Sequence, residues 1–159
     1  MKPRIVAFTE KKLIGCKQNM NYVAYNPVPL WQSFMPIKKE ILNSVSTDLF
    51  SVQQFPDDFW THFNPEKVFE KWAAVEVTDF DTIPDNMHTL VIPNGWYAVF
   101  NYKGDGSDAP AFFEAIFSNW IPNSDYVVDN RPHFEILGVK YKKGHPDSEE
   151  EVWIPIRLK

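Results

Sequence analysis

Apolar segments follow the same order in both halves of the chain, and this repeat constrains the fold more than any other feature. Apolar residues recur with the period of strands or of helices, and each half reads strand–helix–strand–strand. The first half contains the segments 4–9, 12–18, 30–42 (the helix), 48–55 and 66–77. The second half contains the segments 95–102, 110–120 (the helix), 132–142 and 150–158, after connections at 56–65 and 78–94. The sequence therefore predicts a single domain, 1–159, of two modules at about 1–80 and 90–159.

Prolines and a capping residue support the two predicted helices. Pro27 and Pro29 suit the first turn of the first helix, where a missing N–H costs little. Pro36 falls inside the same pattern and is expected to kink or break that helix. Ser107 or Asp108 is a candidate cap for the second helix, and Pro122 marks its end.

Composition favours a folded protein that does not bind nucleic acid directly. Hydrophobic residues make up 44% of the chain, which excludes intrinsic disorder. Aromatic residues make up 16% and include 6 Trp, more than packing usually needs, and aromatic side chains also line ligand pockets. The net charge of −5 argues against a broad basic surface for nucleic acid and mildly favours cationic ligands.

The cysteine count and the apolar runs bear on location. Cys16 is the single cysteine, so no intrachain disulfide can form, which fits a reducing compartment. The N-terminal residues lack the apolar run of a signal peptide. No apolar segment approaches the roughly 20 residues of a membrane span. We therefore expect a cytoplasmic protein with no membrane contact.

One carboxylate interrupts an apolar strand of the second module. Successive side chains of a strand point to opposite faces, so the strand presents Phe134 and Ile136 on one face and His133, Glu135 and Leu137 on the other. The first of these faces is expected to be core. A carboxylate among apolar neighbours is costly unless it is hydrated or meets a cation or proton donor. Glu135 is therefore the principal candidate binding residue; an ion pair with Arg131 or Lys140 is the alternative interpretation.

Tryptophans occupy matching positions on the last predicted strand of each module. Aliphatic residues at 73, 75 and 77 alternate with Trp72, and those at 152, 154 and 156 alternate with Trp153. If the aliphatic sets face the helices, the other faces are predicted to meet over a cleft walled by Trp72 and Trp153 and floored by Glu135. Tyr97 could add a hydroxyl to this cleft. The alternative interpretations are ordinary packing for both Trp and a core ring for Tyr97.

A metal site is not expected, and no cofactor is predicted. His133 and Glu135 lie two residues apart on one face, but two ligands are too few for a zinc site. His62, His88 and His145 lie in predicted loops without ligand spacing. The chain also lacks a glycine-rich phosphate loop followed by Lys-Ser/Thr and a Gly-x-Ser-x-Gly elbow.

A set of short motifs follows a recognisable order. They are Leu-Trp-Gln-Ser-Phe at 30–34, Ala-Val-Glu-Val at 74–77, Ile-Pro at 83–84, Ile-Pro-Asn-Gly-Trp-Tyr-Ala-Val-Phe-Asn-Tyr-Lys-Gly at 92–104, Trp-Ile-Pro-Asn-Ser-Asp-Tyr at 120–126, Asp-Asn-Arg-Pro-His-Phe-Glu at 129–135 and Glu-Val-Trp-Ile-Pro-Ile at 151–156. Together they resemble the GyrI-like, AraC-type effector-binding domain over nearly the whole chain. Each motif is weak alone, and the ordered set carries the resemblance.

The resemblance implies an α+β fold in which two pseudo-twofold-related strand–helix–strand–strand modules enclose a central cleft with their antiparallel sheet. It implies a cleft for small aromatic or cationic molecules, with the family's pocket glutamate at Glu135 and a last-strand aromatic at Trp153. Many members carry a fused DNA-binding helix-turn-helix; none precedes the domain here, so a stand-alone form is expected. Some stand-alone relatives bind DNA gyrase, and others hydrolyse reactive small molecules.

Three functions fit these features. The favoured one is a stand-alone effector-binding or sequestering protein for a hydrophobic, cationic or aromatic molecule, with ligand contacts from Glu135, Trp153, Trp72, Tyr97, His133 and Leu137. The second is a hydrolase in which Glu135 activates water and Tyr97 donates a proton. The third is a gyrase-inhibitor-like module that binds a protein partner through acidic residues at 57–58 and 149–151. Catalysis is therefore the runner-up to binding.

Overall fold

The computed structural model describes residues 1–159 and contains nine strands and two helices. The strands are β1 Arg4–Phe8, β2 Lys11–Met20, β3 Leu49–Gln54, β4 Phe69–Val77, β5 His88–Ile92, β6 Gly95–Lys103, β7 Tyr126–Val128, β8 His133–Leu137 and β9 Glu149–Leu158. The helices are α1 Val28–Ile37, continued by a 3-10 turn at Lys38–Glu40, and α2 Ala109–Ala115, continued by a π-helical turn at Ile116–Trp120. Neither helix has the length and apolar character needed to cross a membrane.

The strands form one antiparallel sheet whose order is symmetric about its centre. That order is β1-β6-β9-β8-β3-β4-β2-β5. Strand β7 pairs with residues 156–158 of β9, whereas β8 pairs with residues 151–153. An axis between β8 and β3 therefore relates β2–α1–β3–β4 to β6–α2–β8–β9. Each set reads strand–helix–strand–strand. The predicted fold class, two pseudo-twofold-related modules sharing an antiparallel sheet, is confirmed.

The two edge strands are exchanged between the modules. β1 precedes the first module but pairs with β6 of the second, and β5 precedes the second module but pairs with β2 of the first. The Glu10 amide donates to the side chain of Asn94, so the β1–β2 and β5–β6 turns lie side by side. The prediction that residues 78–94 form a connection is wrong for residues 88–92, which form strand β5. Leu90 and Ile92 are the buried positions of this strand, a pattern too short to distinguish from a loop.

Helix α1 covers one half of the sheet. Leu30 and Phe34 are its buried residues, one turn apart on the side that meets the sheet. The α-helix ends at Ile37, one residue after Pro36, whose ring nitrogen cannot donate a hydrogen bond to the carbonyl four residues earlier. Pro36 lies inside α1, so the predicted break does not fall there, and the helical segment ends at Glu40 instead of the predicted residue 42.

Helix α2 covers the other half and ends in an unusual turn. The Ile121 amide donates to the Ile116 carbonyl at 2.9 Å, a bond that spans five residues and defines a π-helical turn. Asp108 precedes the helix but makes no capping bond; its carboxylate accepts from the hydroxyl of Tyr102 instead. The predicted capping role of Asp108 is therefore wrong.

Both faces of the sheet are buried. The helix face carries two clusters, one under each helix, built around Ile14, Ala73, Val75 and Val77 and around Ala98, Phe100, Val152, Ile154 and Ile156. The opposite face, here called the inner face, is a single cluster of Phe8, Leu13, Phe50, Val52, Trp72, Ala74, Leu90, Ile92, Tyr97, Val99, Phe134 and Trp153. Residues from both edge strands join this cluster, so the sheet curls around its inner face.

Candidate functional site

The pairing of β8 with β9 assigns Glu135 to the helix face. Phe134 lies directly opposite Trp153, and Glu135 lies opposite Val152. Phe134, Trp153 and Trp72 belong to the inner-face cluster, whereas Val152 packs under α2. The prediction that Glu135 shares a face with Trp72 and Trp153 is therefore wrong, because Phe134 continues the row of these tryptophans.

The inner face is a core in which both tryptophans are buried. Trp72, Trp153 and Tyr97 are 2%, 9% and 0% exposed. The Trp153 ring stacks on Phe134 with centroids 5.3 Å apart. The Tyr97 hydroxyl donates to the Pro132 carbonyl at 2.8 Å, and burial raises the pKa of Tyr97. Ordinary packing, the alternative interpretation of Trp72 and Trp153, describes their position. The Tyr97 ring lies in the core as its alternative interpretation predicted, but its hydroxyl is buried instead of lying at the surface.

Equivalent bonds hold the two tryptophans in the two modules. Trp72 Nε1 donates to Glu70 Oε1 at 3.2 Å, and Trp153 Nε1 donates to Glu151 Oε1 at 3.2 Å. Each carboxylate lies two residues before its indole on the same strand face. The predicted match between Trp72 and Trp153 therefore reflects the internal symmetry of the inner core.

Glu135 lies on the helix face beside the pseudo-twofold axis, and its side chain is partly accessible. Gln53 on β3 donates to Glu135 Oε1 at 3.4 Å. When the amide is turned to satisfy both neighbours, its nitrogen donates to Glu135 Oε2 at 3.0 Å and its oxygen accepts from Lys71 Nζ. Burial raises the pKa of the Glu135 carboxyl, while the Lys71 charge and the Gln53 bond act in the opposite direction.

Lys71 is a buried cation on the same face. Its residue is only 2% exposed, which is rare for lysine, and its ammonium lies 5.6 Å from the centroid of the Tyr25 ring. On β4 it is one strand beyond Gln53, directly opposite it. Lys71, Gln53 and Glu135 therefore form a polar row across the three central strands of the helix face.

A second carboxylate joins this row from β9. Glu150 lies on the helix face because it is two residues from Val152, which packs under α2. Burial raises the pKa of Glu150 to about 7, with a further upward effect from Glu135 and an opposing one from Lys71. The site therefore contains two carboxylates and one ammonium group in a largely desolvated setting.

Aromatic rings surround one side of the polar row. A continuous network of ring contacts joins Tyr22, Tyr25, Phe55, Phe59, Trp60, Phe63, Phe69, Phe117 and His133. Tyr22, Tyr25 and Phe63 are 37%, 41% and 52% exposed. Burial raises the pKa of Tyr22, with smaller upward effects from Tyr25 and then Glu135. Exposed aromatic rings close to a buried charge are typical of a ligand-binding surface.

Trp60 connects the two modules across this network. Its ring stacks on Phe117 of the π-helical turn, with centroids 4.5 Å apart and planes 11° from parallel, and on Phe63 at 5.5 Å. The buried Trp60 Nε1 has no hydrogen-bond partner. The predicted connection 56–65 therefore carries an aromatic bridge from the first module to α2 of the second.

His133 and Leu137 share the helix face with Glu135, as predicted from strand alternation. His133 is buried against the rings of Phe55 and Phe117, with centroids 4.8 and 6.1 Å away. Burial, with a smaller effect of Arg131, lowers the pKa of His133 to about 3, so the imidazole is neutral at pH 7. No group of three or more His, Cys, Asp or Glu side chains is arranged to hold a metal ion.

Sequence reasoning missed Lys71, Glu150 and Trp60. Lys71 lies two residues before Ala73 and four before Val75 on β4. Because side chains alternate along a strand, Lys71 is expected on the same face as these aliphatic residues. That signal was available in the sequence. The position of Trp60 was not, because it depends on the path of a loop that no period describes.

The chain is thus a two-module antiparallel sheet whose helix face carries buried charged groups bordered by aromatic rings. The family model described as the GyrI-like small molecule binding domain matches residues 1–157, and the chain belongs to this family.

Individual relatives agree with this assignment. The transcriptional regulator BrlR of Pseudomonas aeruginosa is 25% identical over 131 residues, which cover 80% of this chain and 45% of BrlR. The chain thus matches less than half of that regulator's length. The structure of SAV2435 bound to tetraphenylphosphonium has a TM-score of 0.70 at 16% identity, covering 99% of this chain and 94% of that one. The EcmrR C-terminal domain has a TM-score of 0.72 at 14% identity, covering 99% and 98%. These two structures share the fold.

Proposed function

We propose that this protein binds a hydrophobic or aromatic cation on the helix face, in the cleft between its two modules, as an effector-binding or sequestering protein. The observation that carries the proposal is Glu135, a partly accessible carboxylate on a sheet face that combines apolar clusters with a few buried polar groups and is bordered by aromatic rings. Membership in a small-molecule-binding family supports it. SAV2435, which has the same fold, is described as bound to tetraphenylphosphonium, an aromatic cation.

Elementary electrostatics favours such a ligand at this position. A carboxylate that loses water without gaining a full counter-charge is costly, and a cation restores the balance. Tyr22 and Tyr25 offer stacked rings 5.5 Å apart beside the same site. Ring faces attract cations, most strongly where water is excluded. A flat cation therefore gains from both the carboxylate and the rings.

The remaining predicted contacts take different roles in this proposal. His133 is neutral and would contribute a ring, and Leu137 would contribute apolar surface beside Glu135. Trp72, Trp153 and Tyr97 act from the inner face, where they support the sheet beneath the site and do not contact the ligand. We further propose that residues 1–159 act as one unit in the cytoplasm, without direct contact to nucleic acid.

The proposal is tested by calorimetric titration with tetraphenylphosphonium and with its neutral relative triphenylphosphine oxide. We expect Glu135→Gln to weaken binding of the cation by about tenfold, equivalent to about 1.4 kcal/mol, and to leave the neutral compound almost unaffected. Glu114→Gln, which makes the same chemical change on an exposed part of α2, is the matched control. Failure of wild-type protein to bind either compound would contradict the proposal for this ligand class.

Hydrolysis is the second candidate, and one observation favours it. The raised pKa of Glu135 brings this carboxyl closer to the range of a general base at neutral pH. Its predicted partner is unsuitable, because the Tyr97 hydroxyl lies on the inner face and donates to Pro132. Tyr22, near Glu135 on the helix face, would have to replace it. Turnover of a p-nitrophenyl ester that disappears in Glu135→Gln and persists in Glu114→Gln would support hydrolysis, and equal turnover in both would exclude Glu135 as its base.

A further inference from the structure

The helix face carries more charged groups near Glu135 than the binding of a cation by one glutamate would need. Glu135 and Glu150 supply two carboxylates, and Lys71 supplies one ammonium group on the same face. We propose that Lys71 and Glu150 make the site selective for ligands with a single positive charge, and that such a ligand releases a proton from Glu150 as it binds. This inference rests on the proposed function and specifies its ligand class.

The position of Lys71 makes it a permanent part of the site. It lies in the middle of β4, paired with Gln53 on β3 and Gln18 on β2, and it is 2% exposed. Its ammonium is directed to the Gln53 amide oxygen and lies beside the Tyr25 ring. A lysine enclosed in this way cannot exchange its partners for water without disturbing the sheet. The ligand therefore meets a site in which one positive charge is already present.

Charged and titratable groups face Glu150 from each neighbouring element. Glu135 approaches from β8, Lys71 from β4 and Tyr141 from the turn after β8, while Tyr102 is its direct partner on β6. Two of these are effectively neutral hydroxyls near pH 7. The net charge around Glu150 is therefore set by two carboxylates, including its own, and one ammonium group. Burial and the charge of Glu135 raise the pKa of Glu150 to about 7, so this carboxyl titrates in the neutral range.

The charge count follows from these protonation states. With Glu135 and Lys71 both charged, the three groups sum to one negative charge when Glu150 is ionised and to zero when Glu150 is protonated. A monovalent cation is matched only in the first state, so its binding favours loss of the proton. A divalent cation leaves an excess positive charge beside Lys71, which is unfavourable in a site of low dielectric constant. Cation affinity should therefore rise with pH and should fall when ligand charge increases.

The pH dependence tests the inference with unmodified protein. From a pKa of about 7, affinity for tetraphenylphosphonium should increase about tenfold between pH 6 and pH 8 by proton linkage. Calorimetry at pH 7 in buffers of different ionisation enthalpy should detect release of about half a proton for each ligand bound. In Glu150→Gln the affinity should be independent of pH over this range, whereas Glu114→Gln should behave like wild type. Binding that is equally tight at pH 6 and pH 8, with no proton release, would overturn the inference and leave the proposed function intact.

The charge selectivity is tested by comparing tetraphenylphosphonium with p-xylylene-bis(triphenylphosphonium), which carries two charges. Wild type should prefer the monocation, and Lys71→Met, an unbranched neutral side chain one atom shorter, should shift the affinity ratio toward the dication by about tenfold. Lys71→Gln provides a second variant if the first is unstable. A wild-type preference for the dication, or an unchanged ratio in both Lys71 variants, would contradict the role of Lys71. Absence of binding by either cation to wild type would instead count against the proposed function.

Discussion

Phe134 lies directly across the β8–β9 pair from Trp153, and their rings stack with planes 15° apart. This contact ties β8 to the inner core, because Phe134 also touches the rings of Phe8 and Tyr97. Side chains alternate along a strand, so the residue after Phe134 must point toward the helices. The stacked pair therefore determines that Glu135 lies on the helix face and not among the tryptophans.

The inner-face position of Tyr97 leads to a prediction that separates stability from binding. Tyr97→Phe leaves the buried Pro132 carbonyl without its partner, which should lower the free energy of unfolding by about 1–2 kcal/mol. Because Tyr97 does not reach the helix face, affinity for tetraphenylphosphonium should change by less than about twofold. Urea denaturation and calorimetry measure the two effects. Loss of binding in a folded Tyr97→Phe protein would show that the ligand contacts the inner face.

Trp60 provides a prediction about the aromatic bridge. Its Nε1–H is buried without a partner, which is unfavourable, whereas its ring stacks on Phe117. Trp60→Phe keeps a ring and removes the N–H, so we expect stability equal to wild type or greater by up to about 1 kcal/mol. Trp60→Ala removes the ring of this half-buried residue and should cost about 2 kcal/mol. Chemical denaturation of wild type, Trp60→Phe and Trp60→Ala measures these differences in stability. An equal loss of stability in the two variants would contradict the unpaired state of the indole N–H.

His133 predicts a pH dependence of stability. Burial lowers its pKa to about 3, below the ordinary value of 6.5, so the unfolded chain binds the proton more readily than the folded protein does. This contribution is fully present above pH 6.5 and is lost as the pH falls toward 3, by up to about 1.4 kcal/mol per pH unit.

The comparison for this effect is His133→Phe, which retains a ring among aromatic neighbours but cannot titrate. Between pH 6.5 and pH 4, the free energy of unfolding of His133→Phe should fall less steeply than that of wild type, as measured by denaturation. His62→Gln, at an exposed position, is the control and should follow wild type. Identical slopes for wild type and His133→Phe would contradict the neutral, buried state of this imidazole.

Gly15 marks a close approach between β2 and β4. A Cβ atom at this position would meet the backbone oxygen of Ala73 and would lie 2.6 Å from the Cα of Ala74. Gly15→Ala should therefore force the two strands apart and cost about 3 kcal/mol or more. At Gly138 the nearest atom lies 3.3 Å away on the side chain of Asp48, so Gly138→Ala should be tolerated better. Thermal denaturation should rank the variants in this order, and a harmless Gly15→Ala would contradict the β2–β4 packing.

The sequence predicted the modules because their periodic signals are strong and local. Trp72 and Trp153 showed the alternation of β4 and β9, and Leu30 and Phe34 showed the buried side of α1. The exchanged strand β5 was missed because its pairing with β2 is a long-range contact, and five residues carry too little periodic signal on their own.

Glu135 as the ligand-binding residue stays a prediction, whereas the predicted walls, Trp72 and Trp153, lie on the other face of the sheet. Alternation separated Glu135 from Phe134, but it could not say which side faced the helices, because both faces of the sheet are buried. That choice depends on the register of β8 against β9. The aromatic walls come from Tyr22, Tyr25 and the loop around Trp60, whose approach to Glu135 depends on tertiary structure.

A crystal structure with tetraphenylphosphonium tests the location of the ligand most directly. We predict that the cation lies on the helix face, with the Glu135 carboxylate as the nearest charged group and the rings of Tyr22 and Tyr25 beside it. A ligand bound between Trp72 and Trp153 on the inner face, or outside the helix-face site altogether, would contradict the central claim that Glu135 receives the ligand's charge.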